Sequence, residues 1–260
     1  MKPRRAVVML RDALVYRREI FCAGLHRLGY AVTDRATGQP EPGDVLVLWN
    51  RNQFQELLAR RYENRGAMVL VAENGYIGSD DDGGCLFALA KRFHNGAGEW
   101  KVGDRERWQT QHIELKPWRE AGEFLLILPQ RGIGPAGVAM PQQWERHIAS
   151  KIQFRTKRAF QTRHHPGDSK SQPYKDLRNA WAAVTWGSGA ALKAIAAGIP
   201  AFYEMPQWIG AAAATFIDKK CKFENPYTAE REPMFERLAW AQWSTREIQT
   251  GEAFAWLLRS

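Results

Sequence analysis

The sequence AAVTWGSGAALKAI, residues 182–195, decides the fold of this chain. It combines an apolar run of strand length, a turn at Gly187 and Gly189, and a stretch with helical spacing. A strand that leads through a glycine turn into a helix is the repeating unit of α/β folds. The turn also points the free N–H groups of the helix at any ligand, and Ser188 can cap the helix. We expect an α/β fold with an anion site here; a tight connection without a ligand is the alternative.

Short apolar runs alternate with amphipathic stretches along the rest of the chain, as in a largely parallel sheet covered by helices. The runs that predict strands lie at 6–10, 45–48, 68–72, 124–128, 182–185 and 200–203. Helical spacing predicts helices over 19–28 and 54–62. Ser244-Thr245-Arg246-Glu247 has the pattern of a capping box, so a last helix should begin at Ser244. Residues 77–119 predict a long irregular segment.

The composition is that of a globular protein, with 45% hydrophobic and 25% charged residues. Cys22, Cys85 and Cys221 are odd in number and far apart, which argues against a disulfide framework and against a cysteine-based zinc site. No apolar segment approaches the roughly 20 residues that a membrane span needs. These features predict a soluble cytoplasmic protein without a transmembrane segment.

The net charge of +9 is concentrated in one stretch. Residues 146–178 hold nine Lys and Arg and two Asp, which gives this stretch a net charge of +7. A solvated surface is one interpretation of such a run, and a site for a polyanion or a phosphate is the other. The motif Arg163-His164-His165-Pro166 lies inside the stretch and favours the second interpretation.

Four motifs of the second half follow one another in a particular order: LLILPQ (125–130), RHHP (163–166), TWGSGA (185–190) and KAIAAGIPA (193–201). In this order they resemble the second-domain half of GT-B glycosyltransferases with an HP motif, such as the bacterial sialyl- and Kdo-type transferases. The resemblance implies an α/β fold of two Rossmann-like domains of GT-B type. Its parts would be an acceptor-side domain at 1–123, a nucleotide-sugar-binding domain at 124–243, and a C-terminal helix at 244–260 that packs back on the first domain.

The resemblance also implies a donor site. His165 would contact the donor phosphate, and Ser188 would cradle it together with the backbone of residues 187–189. Lys193 stands where many members carry a Glu that binds the donor's ribose or sugar, which leaves the donor open; among nucleotide sugars we expect a UDP-sugar first. The donor-binding candidates are Gln130, Arg131, Arg163, His165, Thr185, Gly187, Ser188, Gly189 and Lys193.

The first half supplies two candidates for a general base. The segment VAENGYIG, residues 71–78, resembles the E-D-G-F/Y segment of Kdo-type transferases, with Asn74 in place of Asp. Glu73 ends a predicted strand, where open α/β sheets place ligands, and its carboxylate can take a proton from an acceptor hydroxyl. A solvated loop carboxylate is the alternative. His94, which precedes a glycine-rich segment ending at Trp100, is the second candidate.

Two further patterns have competing interpretations. Asp80-Asp81-Asp82 resembles the metal-binding D-x-D of the other glycosyltransferase fold, which makes Asp80 and Asp82 candidates for a divalent metal. Three acidic residues before two glycines also suit a solvated turn, and we expect no metal as the first choice. GIGPAG, residues 132–137, fits the pattern G-x-G-x-x-G, but no helix begins within it, so we expect a loop at the cleft between the domains.

A basic chain with 11 Trp favours a polyanionic acceptor whose bases can stack on aromatic rings. We expect double-stranded DNA with hydroxymethylated pyrimidines, because compact bacteriophage DNA glycosyltransferases are similar to this chain in size and charge; a phage enzyme would act in the host cytoplasm. The candidates for DNA contacts are Trp100, Lys151, Arg155, Lys157 and Arg158. Two alternatives stay open, namely transfer to a cell-surface polysaccharide and a non-catalytic DNA-binding protein on a degenerate GT-B scaffold.

Overall fold

The computed structural model describes residues 3–94, 96–164 and 177–259 of the 260-residue chain. Two β-sheets organise these residues. The strands are β1 (Arg5–Met9), β2 (Ala31–Thr33), β3 (Val45–Trp49), β4 (Met68–Asn74), β5 (Phe87–Lys91), β6 (Phe124–Leu128), β7 (Ala159–Thr162), β8 (Ala180–Thr185), β9 (Ala201–Tyr203), β10 (Thr215–Phe216) and β11 (Gln242–Trp243).

The first sheet has the order β2-β1-β3-β4-β5-β11. Its first four strands pair in parallel, β5 is antiparallel to β4, and β11 is antiparallel to β5. The central strand β3 reads VLVLW and has four consecutive buried residues, as a strand covered on both faces requires. The parallel strands end at one edge of the sheet, where open α/β sheets place their ligands.

The second sheet has the order β7-β6-β8-β9-β10, and every pairing in it is parallel. All five residues of β6 are buried. Both sheets carry helices, so the prediction of an α/β fold is confirmed. The six predicted strands are all present, with ends within about two residues of the predictions.

The helices of the described residues connect and cover the strands. They are α1 (Arg18–Arg27), α2 (Gln53–Glu63), α3 (Trp144–Arg155), α4 (Gly189–Ala196), α5 (Glu232–Ala239), α6 (Thr245–Thr250) and α7 (Glu252–Leu258), with 3₁₀ turns at Arg105–Gln111 and Ala211–Ala213. Within the described ranges, none of these helices combines the length and the apolar character that crossing a membrane requires.

The C-terminal segment packs on the first sheet. Ser244 caps α6 through a capping box with Glu247, as the sequence predicts. The single predicted helix is instead divided into α6 and α7 at Gly251, whose φ of 86° is left-handed and interrupts the helix. Phe254 of α7 lies edge-on to Phe21 of α1, with ring centroids 6.2 Å apart. The segment therefore completes the core of the first sheet.

The segment predicted to be irregular, residues 77–119, is only partly so. It contains β5, which is the antiparallel neighbour of β4, and one 3₁₀ turn at Arg105–Gln111. The first sheet also takes its last strand, β11, from residues near the end of the chain, after the whole second sheet. The predicted limits of the domains, 1–123, 124–243 and 244–260, stay a prediction.

A shared apolar core joins the two sheets. Tyr76 and Ala88 from the first sheet side belong to one buried cluster with Leu126 of β6 and Ala191 of α4. The Cα of Gly189 faces the ring of Tyr76, since a Cβ added there would lie 3.5 Å from Tyr76 Cδ1. This contact holds the first turn of α4 next to the end of β4 and forms one cleft between the sheets.

Candidate functional site

The cleft has a volume of about 290 Å³ and lies where strands of both sheets end. We call the residues that the first sheet contributes the first wall and those that the second sheet contributes the second wall. The first wall contains Asn50, Glu73, Asn74, Gly75, Tyr76 and His94. The second wall contains Leu128, Pro129, Gln130, Arg131, Ile133, Met140, Arg163, Ser188, Gly189, Ala190 and Lys193.

The turn before α4 is fixed from both sides. The backbone N–H of Ser188 donates to Thr185 Oγ1 at 2.8 Å, and Thr185 Oγ1 donates to the carbonyl of Leu128 at 3.1 Å. Ser188 Oγ accepts the N–H of Ala190 at 3.2 Å as the N-cap of α4. Thr185 is fully buried and holds the turn through these two hydrogen bonds. Ser188 lines the cleft.

Three cationic side chains surround this helix end. Arg131 follows β6, Arg163 follows β7, and Lys193 lies one turn into α4, and all three line the cleft. The N-terminus of a helix carries a partial positive charge and unpaired N–H groups, so it attracts an anion. Ser188, Gly189 and the three cations together form a site suited to a phosphate. The sequence predicted all of these residues.

Gln130 has a fixed orientation in the second wall. Its Nε2 donates to the carbonyl oxygen of Gly187 at 3.0 Å. Its Oε1 is buried and has no hydrogen-bond partner among the described residues. Gly187 itself does not line the cleft, because it faces Met205: a Cβ there would lie 3.0 Å from the Met205 sulfur. The carbonyl of Gly187 therefore anchors Gln130, and the absence of a side chain lets the turn pack closely against Met205.

Glu73 is held by Tyr76 in the first wall. Tyr76 Oη donates to Glu73 Oε1 at 2.6 Å and accepts the N–H of Gly96 at 2.9 Å. Burial, together with the nearby Glu73 carboxylate, raises the pKa of Tyr76 well above its usual value of 10. The phenol therefore stays protonated and remains a donor to Glu73 near neutral pH. Glu73 has a defined position in the cleft, unlike a solvated loop carboxylate.

The backbone of Tyr76 is fixed by a residue from the far end of the chain. Gln242 of β11 is fully buried and accepts the Tyr76 N–H through Oε1 at 3.0 Å. Its Nε2 donates to the carbonyl of Ile77 at 2.7 Å and to Gln111 Oε1 at 2.8 Å. No sequence pattern connects Gln242 to this site, because 166 residues separate it from Tyr76.

His94 is buried in the first wall, with 3% of its surface exposed. Its Nε2 lies 3.1 Å from the carbonyl oxygen of Ile133, an acceptor, so Nε2 carries the proton and Nδ1 has the free lone pair. Nδ1 has no partner among the described residues. Burial lowers the pKa of His94 to about 4. The imidazole is almost fully buried, whereas the Glu73 carboxylate is only partly buried and is held in the cleft, so the geometry favours Glu73 over His94 as the base.

Asn50 is a cleft residue that sequence reasoning missed. It follows β3 with a left-handed backbone, φ 56°, and its N–H donates to the carbonyl of Ala72 at 3.0 Å. Its Oδ1 is buried without a partner among the described residues. Asn tolerates this conformation better than most residues do. The available signal was its position directly after a predicted strand, at the edge where such sheets bind ligands.

The metal candidates Asp80 and Asp82 are not among the residues that line the cleft. His165 falls outside the described residues. Asp80 Oδ1 accepts the N–H of Gly84 at 2.5 Å, which gives Asp80 a role in closing the acidic turn. Among the described residues, no group of three or more His, Cys, Asp and Glu side chains is arranged to hold a metal ion.

Most candidates for DNA contacts are held by neighbours within the chain. Lys151 pairs with Glu204 at 2.5 Å, and Arg155 donates to the Asp218 carbonyl at 2.6 Å. Arg158 pairs with Glu224 at 2.7 Å and lies over the ring of Trp181. Trp100 Nε1 donates to the Arg237 carbonyl at 3.0 Å. Lys157 is exposed. Much of the positive charge of residues 146–178 is therefore engaged in contacts within the chain.

The fold has relatives among solved structures, although the sequence matches no protein-family model and no curated protein. The β-Kdo 2,7-transferase of KpsC from Thermosulfurimonas dismutans aligns over 97% of this chain and 99% of its own, with a TM-score of 0.58 and 14% identity. The β-Kdo 2,4-transferase of the same KpsC aligns over 93% of this chain and 91% of its own, with a TM-score of 0.54 and 12% identity. The chain therefore has a glycosyltransferase-like Rossmann fold.

Proposed function

We propose that this protein is a glycosyltransferase of GT-B arrangement that moves a sugar from a nucleotide-sugar donor to a hydroxyl group of a saccharide acceptor in a cell-surface polysaccharide. One observation carries the proposal. A single cleft joins an anion site, made by the first turn of α4 with Arg131, Arg163 and Lys193, to a carboxylate, Glu73, on the opposite wall. Direct displacement by an acceptor hydroxyl uses both a site for the nucleotide phosphate and a base that takes the hydroxyl proton.

The second wall suits the leaving group. Negative charge builds up on the nucleotide phosphate as the bond between a phosphate oxygen and the anomeric carbon of the sugar breaks. The N-terminal end of α4 at Gly189, the Ser188 hydroxyl and the cations of the second wall stabilise this charge in place. Gln130 holds the turn through Gly187, which keeps these donors in a fixed position.

The first wall suits the nucleophile. The Glu73 carboxylate takes the proton of the acceptor hydroxyl. The hydroxyl oxygen then bonds to the anomeric carbon of the donor sugar, while the bond from that carbon to the nucleotide phosphate breaks. Tyr76 donates a hydrogen bond to Glu73 and thereby orients the carboxylate toward the acceptor. Asn74, which replaces the Asp of Kdo-type transferases, lies next to Glu73 in the same wall. Glu73 is then the group that supplies the base in this chain.

A saccharide acceptor is favoured over DNA for two reasons. The two solved structures compared above are Kdo transferases by name, and neither name mentions a nucleic acid. The basic residues expected to hold DNA are also mostly engaged with partners inside the chain, including Glu204 and Glu224. The expectation of hydroxymethylated DNA therefore has no support from the fold or from these contacts.

The test is a transfer assay with a matched binding measurement. The protein is incubated with a panel of nucleotide sugars that includes UDP-glucose, GDP-mannose and nucleotide-activated Kdo, each with oligosaccharide acceptors and, separately, with hydroxymethylated duplex DNA. Mass spectrometry of the acceptors should show the mass of one added sugar on an oligosaccharide. An increase only on DNA would refute the saccharide acceptor, and no increase with any donor would refute glycosyl transfer.

A further inference from the structure

Exposed apolar side chains are concentrated at one edge of the first sheet. Among the described residues, eight large apolar side chains are exposed, and five of them lie at the end of β1, in the loop after it, or in the first two turns of α2. Leu14 is 92% exposed, Val15 67%, Phe54 84% and Leu57 80%, so these side chains project from the fold instead of packing in it. We call these four residues the apolar patch.

Two segments that are distant in sequence form the patch together. β1 and β3 pair in parallel, so the loop after β1 and the helix α2, which follows β3, both start at the same edge of the sheet. The ring of Tyr16 lies edge-on to Trp49, the last residue of β3, with ring centroids 4.8 Å apart, and holds the loop against that edge. Asn50, which lines the cleft, comes directly after Trp49. The apolar patch and the cleft therefore share one edge.

The helix α2 has an apolar outer face as well as an apolar inner face. Ala59 and Tyr62 are buried against the first sheet. Phe54 and Leu57 are three residues apart, which makes them neighbours on the helix surface, and both are exposed. A single exposed apolar side chain is ordinary, but a group of them on adjacent segments marks a surface that binds something.

The surroundings of the patch are basic. Arg11 and Arg17 are exposed and Arg18 is partly exposed, and residues 11–18 contain one acidic residue, Asp12, which gives this segment a net charge of +2. On the helix side, the carboxylate of Glu56 is engaged in ion pairs with two arginines of the chain. Projecting apolar side chains beside free positive charge suit a surface with a negative face and an apolar interior.

We propose that the apolar patch docks this protein on an anionic lipid bilayer, with its four side chains below the headgroups and Arg11 and Arg17 against the lipid phosphates. A second copy of the chain fits less well, because a two-fold interface would bring the same arginines of both copies together. The inference goes beyond the proposed function, since it concerns the surface at which the cleft works and not the group that it transfers.

The experiment is sedimentation of the whole protein with vesicles, of phosphatidylcholine alone or of phosphatidylcholine mixed with phosphatidylglycerol. We expect binding to the mixed vesicles. The double variant Phe54→Ser with Leu57→Ser should weaken that binding by about tenfold or more, and so should Leu14→Ser with Val15→Ser, because each removes inserted apolar area. If the unchanged protein does not bind mixed vesicles, or if both double variants bind as tightly as it does, the inference is wrong.

The matched control is Phe154→Ser. Phe154 is 89% exposed on α3, where Lys151 and Arg155 flank it, but it lies outside the patch. Its vesicle binding should equal that of the unchanged protein. A loss as large as that of the patch variants would mean that any exposed aromatic residue near basic residues attaches the chain to lipid, and would overturn the assignment to the patch. Urea titrations of each variant verify that it is folded.

Two further measurements separate lipid from other occupants. Arg11→Gln with Arg17→Gln should weaken binding to the mixed vesicles by about tenfold, and an unchanged affinity would remove the charge argument. Hydrogen exchange followed by mass spectrometry should slow in residues 11–16 and 53–58 when mixed vesicles are added, but not in residues 150–155.

Sedimentation velocity without vesicles tests the second copy. A dimer that dissociates in the Phe54→Ser and Leu57→Ser variant would assign the patch to self-association and overturn the inference. None of these measurements uses a sugar donor or an acceptor. A failure of vesicle binding therefore leaves the transfer assay unaffected, and a failure of transfer leaves the docking result standing.

Discussion

The two walls of the cleft differ in the polar groups that they present. The second wall offers donors and positive charge: Arg131, Arg163, Lys193 and the first turn of α4. The first wall offers the Glu73 carboxylate, which accepts a hydrogen bond from Tyr76. An anion and a proton-donating hydroxyl therefore have separate places in one cavity. In the proposed function, this difference would place the leaving group at one sheet and the nucleophile at the other.

The largest effect should come from removing the base of the first wall. Glu73→Gln keeps the size of the side chain and its ability to accept from Tyr76, but it removes the basic carboxylate. Turnover should fall by about 10²–10⁴-fold, the usual contribution of a general base. Nucleotide affinity should stay within about twofold, since the anion site lies on the other wall. Steady-state kinetics and calorimetry measure the two quantities.

The matched control for this prediction is Glu114→Gln, because Glu114 is an exposed carboxylate outside the cleft. Its turnover should equal that of the unchanged protein. Full activity in Glu73→Gln, with normal folding, would remove Glu73 from the mechanism and leave the first wall without a base.

A second prediction concerns the pH dependence of stability. The pKa of His94 is lowered to about 4, against its ordinary value of 6.5 in an unfolded chain. Between these values the unfolded chain binds a proton that the folded chain does not, so His94 costs no stability above pH 6.5 and about 3 kcal/mol by pH 4. Between pH 6.5 and pH 4, the free energy of unfolding of His94→Gln should therefore fall by about 3 kcal/mol less than that of the unchanged protein. Urea titrations at several pH values measure this difference.

The control is His26→Gln, which changes an exposed histidine. Its free energy of unfolding at pH 7 should lie within about 0.5 kcal/mol of that of the unchanged protein. Equal pH profiles for His94→Gln and the unchanged protein would mean that the imidazole is solvated, and the contrast between a buried first wall and a charged second wall would weaken.

The third prediction tests the helix end of the second wall against a matched helix end elsewhere. Ser188→Ala and Ser244→Ala each remove an N-cap hydroxyl, from α4 and α6. Each should lower the free energy of unfolding by about 1 kcal/mol. Only Ser188→Ala should also weaken nucleotide binding, by about tenfold, because a charge-assisted hydrogen bond is lost. Equal affinities in both variants would show that α4 does not bind the phosphate.

The smallest effect should separate two lysines. Lys193 is half-buried in the cleft and Lys157 is exposed outside it. Lys193→Ala should weaken nucleotide binding by about fivefold, a solvent-screened contribution, and Lys157→Ala should not change it. Calorimetry at two salt concentrations checks both. A larger effect for Lys157→Ala would return the phosphate site to the basic stretch at large.

The sequence predicts the second sheet better than the first. Residues 182–195 are continuous, so the strand, the turn and α4 with its cap at Ser188 follow from local pattern alone. The first sheet depends on pairings between distant segments. Nothing local indicates that β5 runs antiparallel or that Gln242 and Trp243 supply the last strand. Contacts of this kind come from packing of the whole chain, which a residue pattern does not contain.

The candidate site divides in the same way. Glu73, His94, Gln130 and Lys193 were predicted because strand ends and motifs identify them. The roles of Asn50 and Tyr76 were not, since a backbone angle and a hydrogen bond define them. Charge was the least reliable guide. The sequence counts every cation of residues 146–178 equally, but the structure uses Lys151 and Arg158 in ion pairs with Glu204 and Glu224.

The position of β11 has a consequence for synthesis of the chain. A nascent chain folds from its N-terminus as it emerges from the ribosome. Until residues 242–258 emerge, β5 remains an open edge strand, and Phe21 lacks its cover from Phe254. Gln242 is also missing, so Tyr76 has no anchor from which to orient Glu73. The first sheet is therefore closed, and Tyr76 and Glu73 reach their described positions, only after residues 242–258 have been synthesised.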